Sequence, residues 1–177
     1  EKALSLDKLD PSTYTGLCML YIMRKQHDEA IAAGRQAVTL SPSGAMAHHS
    51  LATALGFAGH QQEAIAFFKK AISLNPFPPS IFFRGLGNAY RMAGQYKNAI
   101  SEYKKALLQN PDDLFTHLGL IISYIFSGCE QEARAEAADV LRIHPDFSLK
   151  HFARTLPYKN QSDIDHSIRS LRKAGLK

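Results

Sequence analysis

Apolar side chains along this chain recur at helical spacing, and the pattern is clearest over residues 80–113. Side chains at i, i+3, i+4 and i+7 share one face of a helix, and a first stripe of this kind comprises Phe83, Leu86, Gly87 and Tyr90. A second stripe follows a break at Gly94 and comprises Ala99, Tyr103 and Ala106. Pro111 ends the second stripe, because the residue before a proline is pushed out of the helical region. The pattern predicts a hairpin of two helices.

The same hairpin pattern recurs in three further segments at a nearly constant period. The prolines that end each second helix are Pro42, Pro76, Pro111 and Pro145, which are 34, 35 and 34 residues apart. The one extra residue lies in the run Pro76-Phe77-Pro78-Pro79. A glycine follows the first helix in three copies, and Lys25 takes its place in the first copy. A fixed period of this length is the signature of stacked repeats.

Small residues mark the positions where paired helices are expected to cross. Two helices approach closely only where both carry small side chains, and a large side chain there would be overpacked. The eight positions are Ala30, Ala37, Ala64, Ala71, Ala99, Ala106, Ala133 and Val140. Valine is the one enlarged member, in the last copy, where a terminal repeat is commonly atypical.

This combination of positions resembles the tetratricopeptide repeat. The resemblance implies an all-α fold, a right-handed α-solenoid of helix-turn-helix repeats with a C-terminal capping helix, and a non-catalytic scaffold for protein–protein interaction. The predicted segments are a remnant of a preceding repeat at 1–10, with Ala3 in an alanine position, four repeats at 11–44, 45–78, 80–113 and 114–147, and a helical cap at 148–177. We expect the chain to be part of a longer protein.

Charge is distributed unevenly along the chain. The net charge is +5, but residues 1–149 hold 14 basic and 14 acidic residues, so the whole excess falls on residues 150–177, with 7 and 2. A protein that reads nucleic acid carries basic residues on its binding face. Nucleic acid is therefore not the expected partner, and binding of nucleic acid or an anionic surface by the basic tail is an alternative function.

Cysteine content and hydropathy predict a cytoplasmic protein. Cys18 and Cys129 are too few and too far apart for a disulfide framework or a zinc site, and free thiols suit a reducing compartment. No apolar run reaches the roughly 20 residues that a membrane-spanning helix needs. We expect no membrane association.

The first helices of stacked repeats line a concave groove, so their side chains that do not face the core are binding candidates. We predict a groove formed by Thr15, Met19, Met23, Met46, His49, Thr53, Phe57, Ile81, Arg84, Asn88, Arg91, Met92, Phe115, Leu118, Ile122 and Phe126. All four methionines of the chain belong to this set, and methionine recurs at surfaces that accept varied partners. The alternative for single members is packing between adjacent first helices or under the tail.

Arg84 and Arg91 in the middle of this set indicate an acidic group on the partner, because guanidinium groups bind carboxylates. The predicted partner is therefore an apolar or amphipathic protein or peptide with at least one acidic group. Arg84 and Asn88 resemble the first pair of the carboxylate clamp with which many tetratricopeptide proteins bind chaperone tails. Gly119 stands where that clamp requires asparagine, so chaperone-tail binding is not expected.

Groups that would carry catalysis do not occur in a recognisable arrangement. His48 and His117 share the fourth place of their repeats, which indicates a structural role, and the adjacent His48 and His49 lack the spacing of two ligands on one helix. The sequence contains no glycine-rich phosphate loop and no nucleophile elbow. We predict no catalytic residue, no metal site and no cofactor for this segment.

The tail after Pro145 loses the repeat period. We expect a short helix that places Leu149 and Phe152 on the open end of the stack, then a helix with Ser162 as N-cap and Gly175 as stop. The tail is also similar to the C-terminal end of bacterial adenylate or guanylate cyclase-type proteins with tetratricopeptide regions, through Phe147-Ser148, Leu156-Pro157-Tyr158 and residues 171–176. That similarity implies a regulatory or docking segment of a larger bacterial signalling protein. Homo-oligomerisation through the exposed helix-packing surface is an alternative.

Overall fold

The structure is a computed structural model that describes residues 10–177. These residues form ten α-helices and no strand, which confirms the predicted all-α fold. The helices are α1 (Pro11–Met23), α2 (His27–Leu40), α3 (Ala45–Ala58), α4 (Gln61–Ser73), α5 (Ser80–Met92), α6 (Tyr96–Gln109), α7 (Leu114–Phe126), α8 (Glu130–Ile143), α9 (Leu149–Thr155) and α10 (Gln161–Lys173). Each predicted repeat from 11 to 147 contains one helix pair. The predicted remnant at 1–10, including Ala3, lies outside the described residues except for Asp10.

The chain divides into two compact units. The described part of unit 1 comprises residues 10–78 together with Pro157–Lys159, and unit 2 comprises Pro79–Leu156 and Asn160–Lys177. The division falls between Pro78 and Pro79, inside the run that carries the one extra residue of the repeat period.

Each hairpin turn uses a residue in the left-handed region of the backbone. Gly59, Gly94 and Gly128 have φ of 97°, 73° and 77°, and Lys25 adopts the same region with φ 58°. The residue after each of them donates its N–H to the carbonyl five positions back, at 2.9 Å in all four turns. This bond closes the end of the first helix, and it explains why a lysine must accept a conformation that favours glycine.

The predicted crossing residues are buried. Seven alanines and Val140 occupy these positions, and none exposes more than 1% of its surface. In unit 1, Cys18 and Ile22 of α1 pack with Ala30 and Ala33 of α2 and with Ala54 of α3. Burial raises the pKa of the Cys18 thiol to about 12, so this cysteine behaves as a small apolar side chain.

The core of unit 2 is organised around Tyr103, which is fully buried. A Cβ built on Gly87 of α5 would lie 2.8 Å from the Tyr103 ring, and a Cβ on Gly119 of α7 would lie 2.6 Å from its hydroxyl. Both distances are shorter than the contacts that Cβ atoms make in folded proteins. The two glycines therefore leave the space that the tyrosine ring fills.

The tail forms the two predicted helices, and α10 packs against α7 and α9 within unit 2. The prediction that Ser162 caps α10 is wrong: the helix begins at Gln161, and Asn160 is the cap residue, without a side-chain bond to the helix backbone. The Leu149 N–H donates to the Lys177 carbonyl at 2.9 Å, which joins the end of the chain to the start of α9. Within residues 10–177 we find no helix that could span a lipid bilayer.

Candidate functional site

In unit 1 the predicted groove residues lie on α1 and α3, and we call this set the α1–α3 face. It comprises Thr15, Met19, Met23, Met46, Thr53 and Phe57. The three methionines are exposed, with relative accessibilities of 40% for Met19, 78% for Met23 and 50% for Met46. Thr15, Thr53 and Phe57 are half-buried. The predicted groove residue His49 is buried, with its ring against Phe68 at 5.4 Å, and so does not belong to the face.

The helical period explains why these methionines point away from the core. Cys18 and Ile22 of α1 face α2 and α3 and are buried, and Met19 and Met23 each follow one of them along the helix. One residue further along a helix rotates the side chain by about 100°. The short helix α1 therefore carries both core residues and exposed apolar residues.

A segment of the tail contacts this face at Phe57, so for this residue the alternative of packing under the tail holds. The rings of Tyr158 and Phe57 are 5.2 Å apart at an angle of 59°, and the Lys159 N–H donates to the Phe57 carbonyl at 3.0 Å. Tyr158 retains only 6% exposure although it lies between α9 and α10. The only sequence signal for this contact is an aromatic residue after a proline in a stretch without helical periodicity.

In unit 2 the predicted groove residues lie on α5 and α7, and the two arginines are occupied internally. Arg84 donates to both carboxylate oxygens of Asp113, at 2.8 and 3.1 Å, and its guanidinium lies 5.5 Å from the centre of the Phe115 ring. Asp113 is also the N-cap of α7, where it accepts the N–H of Thr116. The Arg84 charge is thus paired before any partner arrives.

Arg91 belongs to a polar group beneath the surface. It is 7% exposed, and its Nε donates to the Tyr103 hydroxyl at 3.4 Å while a second nitrogen donates to Asn88 Oδ1 at 3.2 Å. The Tyr103 hydroxyl donates to the same Asn88 oxygen at 2.9 Å. These bonds satisfy a buried phenol and hold Arg91 inside the unit. They also explain Gly119, because an asparagine in its place would collide with Tyr103.

The remaining predicted residues of unit 2 divide between surface and core. Ile81, Phe115 and Phe126 are exposed, Met92 is half-buried, and Leu118 and Ile122 are buried on the helix that α10 packs against. The exposed rings are themselves in contact: Phe126 stacks on Tyr96 at 4.9 Å, and Phe115 lies 6.2 Å from Phe152. The exposed rings of Phe115 and Phe126 thus have aromatic neighbours within unit 2.

The histidines at the fourth place of repeats 2 and 4 bind the preceding loop. His48 Nε2 contacts the Pro42 carbonyl and His117 Nε2 contacts the Pro111 carbonyl, both at 2.8 Å, across the same sequence separation. His117 Nδ1 also lies 2.6 Å from Glu136, and this carboxylate raises the pKa of His117. Each ring fastens a repeat to the proline that ends the one before it. In the described part of the chain, no group of three or more His, Cys, Asp or Glu residues is arranged to hold a metal ion.

Comparison with known sequences confirms the repeat. Residues 46–78 and 81–113 match sequence models of the tetratricopeptide repeat, which correspond to the second and third predicted copies. No curated protein gives a significant sequence match.

Solved structures of similar fold cover nearly the whole chain. YrrB, described as a TPR protein with an unusual peptide-binding site, is 22% identical and aligns over 98% of this chain and 89% of its own, with a TM-score of 0.64. The type IV pilus biogenesis factor PilW is 19% identical over 98% and 77%, with a TM-score of 0.77. TTC0263, a thermophilic TPR protein of Thermus thermophilus, is 21% identical over 97% and 85%, with a TM-score of 0.73. At these identities the likeness establishes the helical-repeat fold.

Proposed function

We propose that the α1–α3 face binds an apolar segment of a partner protein or peptide, and that the chain acts as a non-catalytic interaction scaffold. The observation that carries this proposal is the exposure of Met19 and Met23, one turn apart on α1, and of Met46 on α3 of the same unit. Contiguous exposed apolar residues on a folded protein mark interaction sites. Methionine suits such a site because its flexible thioether adapts to ligands of different shape.

Two further considerations support protein or peptide binding. Tetratricopeptide folds generally mediate protein–protein interaction, and YrrB, which has a similar fold, is described as having a peptide-binding site. The proposed ligand does not require the acidic group expected from the sequence. Arg84 is already paired with Asp113, and Arg91 is buried within unit 2. An acidic ligand would have to displace a carboxylate that already serves as a helix cap.

The proposal extends to the context of the chain. We place it in the cytoplasm, as a docking segment of a larger bacterial signalling protein such as a nucleotide cyclase. The support is the similarity of the tail at Leu156-Pro157-Tyr158 and residues 171–176, and the free thiol of Cys18. The coding sequence immediately upstream of Glu1 tests this context, since an in-frame cyclase-type catalytic domain would support it and another domain type would oppose it.

Selection from a displayed library of random peptides tests the binding face. The purified chain is compared with a double variant, Met19→Glu with Met46→Glu, and with Leu108→Glu as the matched control. Leu108 is 85% exposed on α6, so its replacement also adds a charge at an exposed apolar residue. It lies on the second helix of its repeat and not on a first helix. We expect peptides enriched by the wild-type chain to retain affinity for Leu108→Glu and to lose it for the double variant.

Retention of the same peptides by the double variant would refute the assignment of the face. Light scattering against concentration addresses homo-oligomerisation in the same samples. A dimer that uses the α1–α3 face would dissociate in the double variant and would exclude peptides at high protein concentration. Binding of an anionic surface by the basic tail would instead show a steep dependence on salt.

A further inference from the structure

The clearest indication of what the α1–α3 face recognises is the segment of this chain that already contacts it. Pro157–Lys159 groups with unit 1, although the residues before and after it belong to unit 2. It reaches Phe57 with a side chain and with its backbone, through the Tyr158 ring and the Lys159 N–H. Residues of a connecting loop are normally exposed, so the burial of Tyr158 to 6% indicates a specific contact.

The backbone contact uses an acceptor that the end of α3 provides. The last carbonyls of a helix have no partner within the helix. At the end of α3 the Leu55 carbonyl accepts the N–H of His60 and the Gly56 carbonyl accepts Gln61 Nε2, both within the turn. The Phe57 carbonyl receives its bond from Lys159, at 3.0 Å. An extended peptide that crosses the end of α3 can therefore pair with this carbonyl without disturbing the hairpin.

The segment is shaped in advance for this contact. Leu156 precedes a proline and has extended backbone angles, φ −71° and ψ 119°, and Asn160 on the other side is also extended. A proline fixes its own φ, so this stretch loses less conformational entropy on docking than a flexible loop does. The Lys159 charge is close enough to His27 of α2 to lower the pKa of that histidine, after the larger effect of burial.

We infer that the α1–α3 face contains a recognition site for an extended peptide with an aromatic side chain after a proline, and that Pro157–Lys159 is its internal occupant. This inference rests on the proposed function and specifies its ligand. The aromatic ring packs on Phe57, and the N–H of the next residue pairs with the Phe57 carbonyl. Met19, Met23 and Met46 are exposed on the same unit and offer further apolar contacts to a longer partner segment.

The internal segment and a partner peptide compete for the same site. The segment belongs to the same chain as its site, so it competes with a free peptide as an intramolecular ligand. A free peptide must then displace the segment, and its apparent affinity falls by the fraction of molecules in which the site is open. Release of the tail and binding of a partner are thereby coupled within one chain.

A labelled peptide with the sequence of residues 155–160, Thr-Leu-Pro-Tyr-Lys-Asn, tests this inference by fluorescence anisotropy. We expect it to bind Tyr158→Ala about tenfold or more tightly than the wild-type chain, because the ring contact that holds the internal segment is lost. The same peptide with alanine in place of tyrosine is the matched control, and it should bind neither protein. Adding Phe57→Ala to Tyr158→Ala should abolish binding.

A second variant guards against a change in folding. Lys159→Pro removes the N–H donated to Phe57 and should also increase peptide binding, while helical circular dichroism of both variants stays at the wild-type value. Equal binding of the peptide to wild type and variants, or binding to none of them, overturns the inference. If only this inference fails, peptides from the displayed library would still lose affinity for the double variant Met19→Glu with Met46→Glu. If the proposed function fails, those peptides would keep their affinity for the double variant.

Discussion

Replacing Gly119 by alanine is the sharpest test of how unit 2 is packed. The added Cβ would lie 2.6 Å from the Tyr103 hydroxyl and would also crowd the ring. The tyrosine side chain is fully buried, and its ring already lies so close to Gly87 of α5 that a Cβ there would be 2.8 Å away. The substitution must therefore displace a helix or the hydroxyl network with Asn88 and Arg91.

The expected magnitude follows from two opposing terms. Overpacking of a filled core costs about 1–3 kcal/mol, whereas alanine is favoured over glycine inside a helix by about 0.5–1 kcal/mol. Gly16 in α1 supplies the second term alone, because a Cβ there would have nothing within 4 Å. We expect Gly16→Ala to stabilise the chain, Gly119→Ala to destabilise it, and the two variants to differ by about 1–3 kcal/mol in their free energy of unfolding.

Native-state hydrogen exchange measures these effects unit by unit. Slowly exchanging amides of α7 report unit 2 for Gly119→Ala, and those of α1 report unit 1 for Gly16→Ala. The cost of Gly119→Ala should disappear when Tyr103 is already replaced by leucine, because the colliding ring is gone. The packing argument is refuted if Gly119→Ala stabilises as much as Gly16→Ala, or if its cost is unchanged beside Tyr103→Leu.

Three further predictions concern the turns, the caps and the buried histidine. Lys25→Gly should raise the free energy of unfolding of unit 1 by about 0.5–1 kcal/mol, because a backbone φ of 58° strains a lysine. A lower free energy of unfolding in urea would contradict this prediction. Asp113→Ala should lower the free energy of unfolding by about 1 kcal/mol more than Asp10→Ala does. Both substitutions remove a helix cap, but only Asp113→Ala also removes the partner of an arginine, Arg84. Equal losses in the two variants would contradict this prediction. The hydrogen bond that protonated His117 donates from Nδ1 to Glu136 raises the pKa of folded His117. The stabilisation that this bond gives is complete below pH 6.5 and declines as pH rises through the raised pKa. Glu136→Gln should remove this decline from the free energy of unfolding measured against pH, and an unaltered decline would refute the assignment.

The sequence was sufficient for the helices and their pairing, because these depend on residues close in the chain. Turn residues, prolines and small residues recur at one period, and the structure places them where a repeat requires them. The sequence places Lys25 where the other copies hold glycine, and the structure gives it the same left-handed conformation. The division between Pro78 and Pro79 falls at the one extra residue of the period, but periodicity alone did not predict a division there.

The candidate site was predictable only in part, because exposure depends on partners distant in sequence. Met19, Met23 and Met46 were identified from their places on first helices and are exposed. Arg84 was identified by the same rule, yet its partner Asp113 lies 29 positions away, at the cap of another helix. Leu118 and Ile122 are buried on a helix that the tail contacts, and no local pattern specified which helix the tail would join.

The most direct test of the binding face is a nuclear magnetic resonance titration of the chain labelled at its methionine methyl groups. The four methionines supply four signals, of which Met19, Met23 and Met46 lie on the α1–α3 face and Met92 lies on α5 of unit 2. With a peptide enriched from the displayed library, we expect the first three signals to shift and the Met92 signal to stay in place. A shift confined to Met92, or no shift of any methionine while the peptide binds, would contradict the proposal that this face receives the partner.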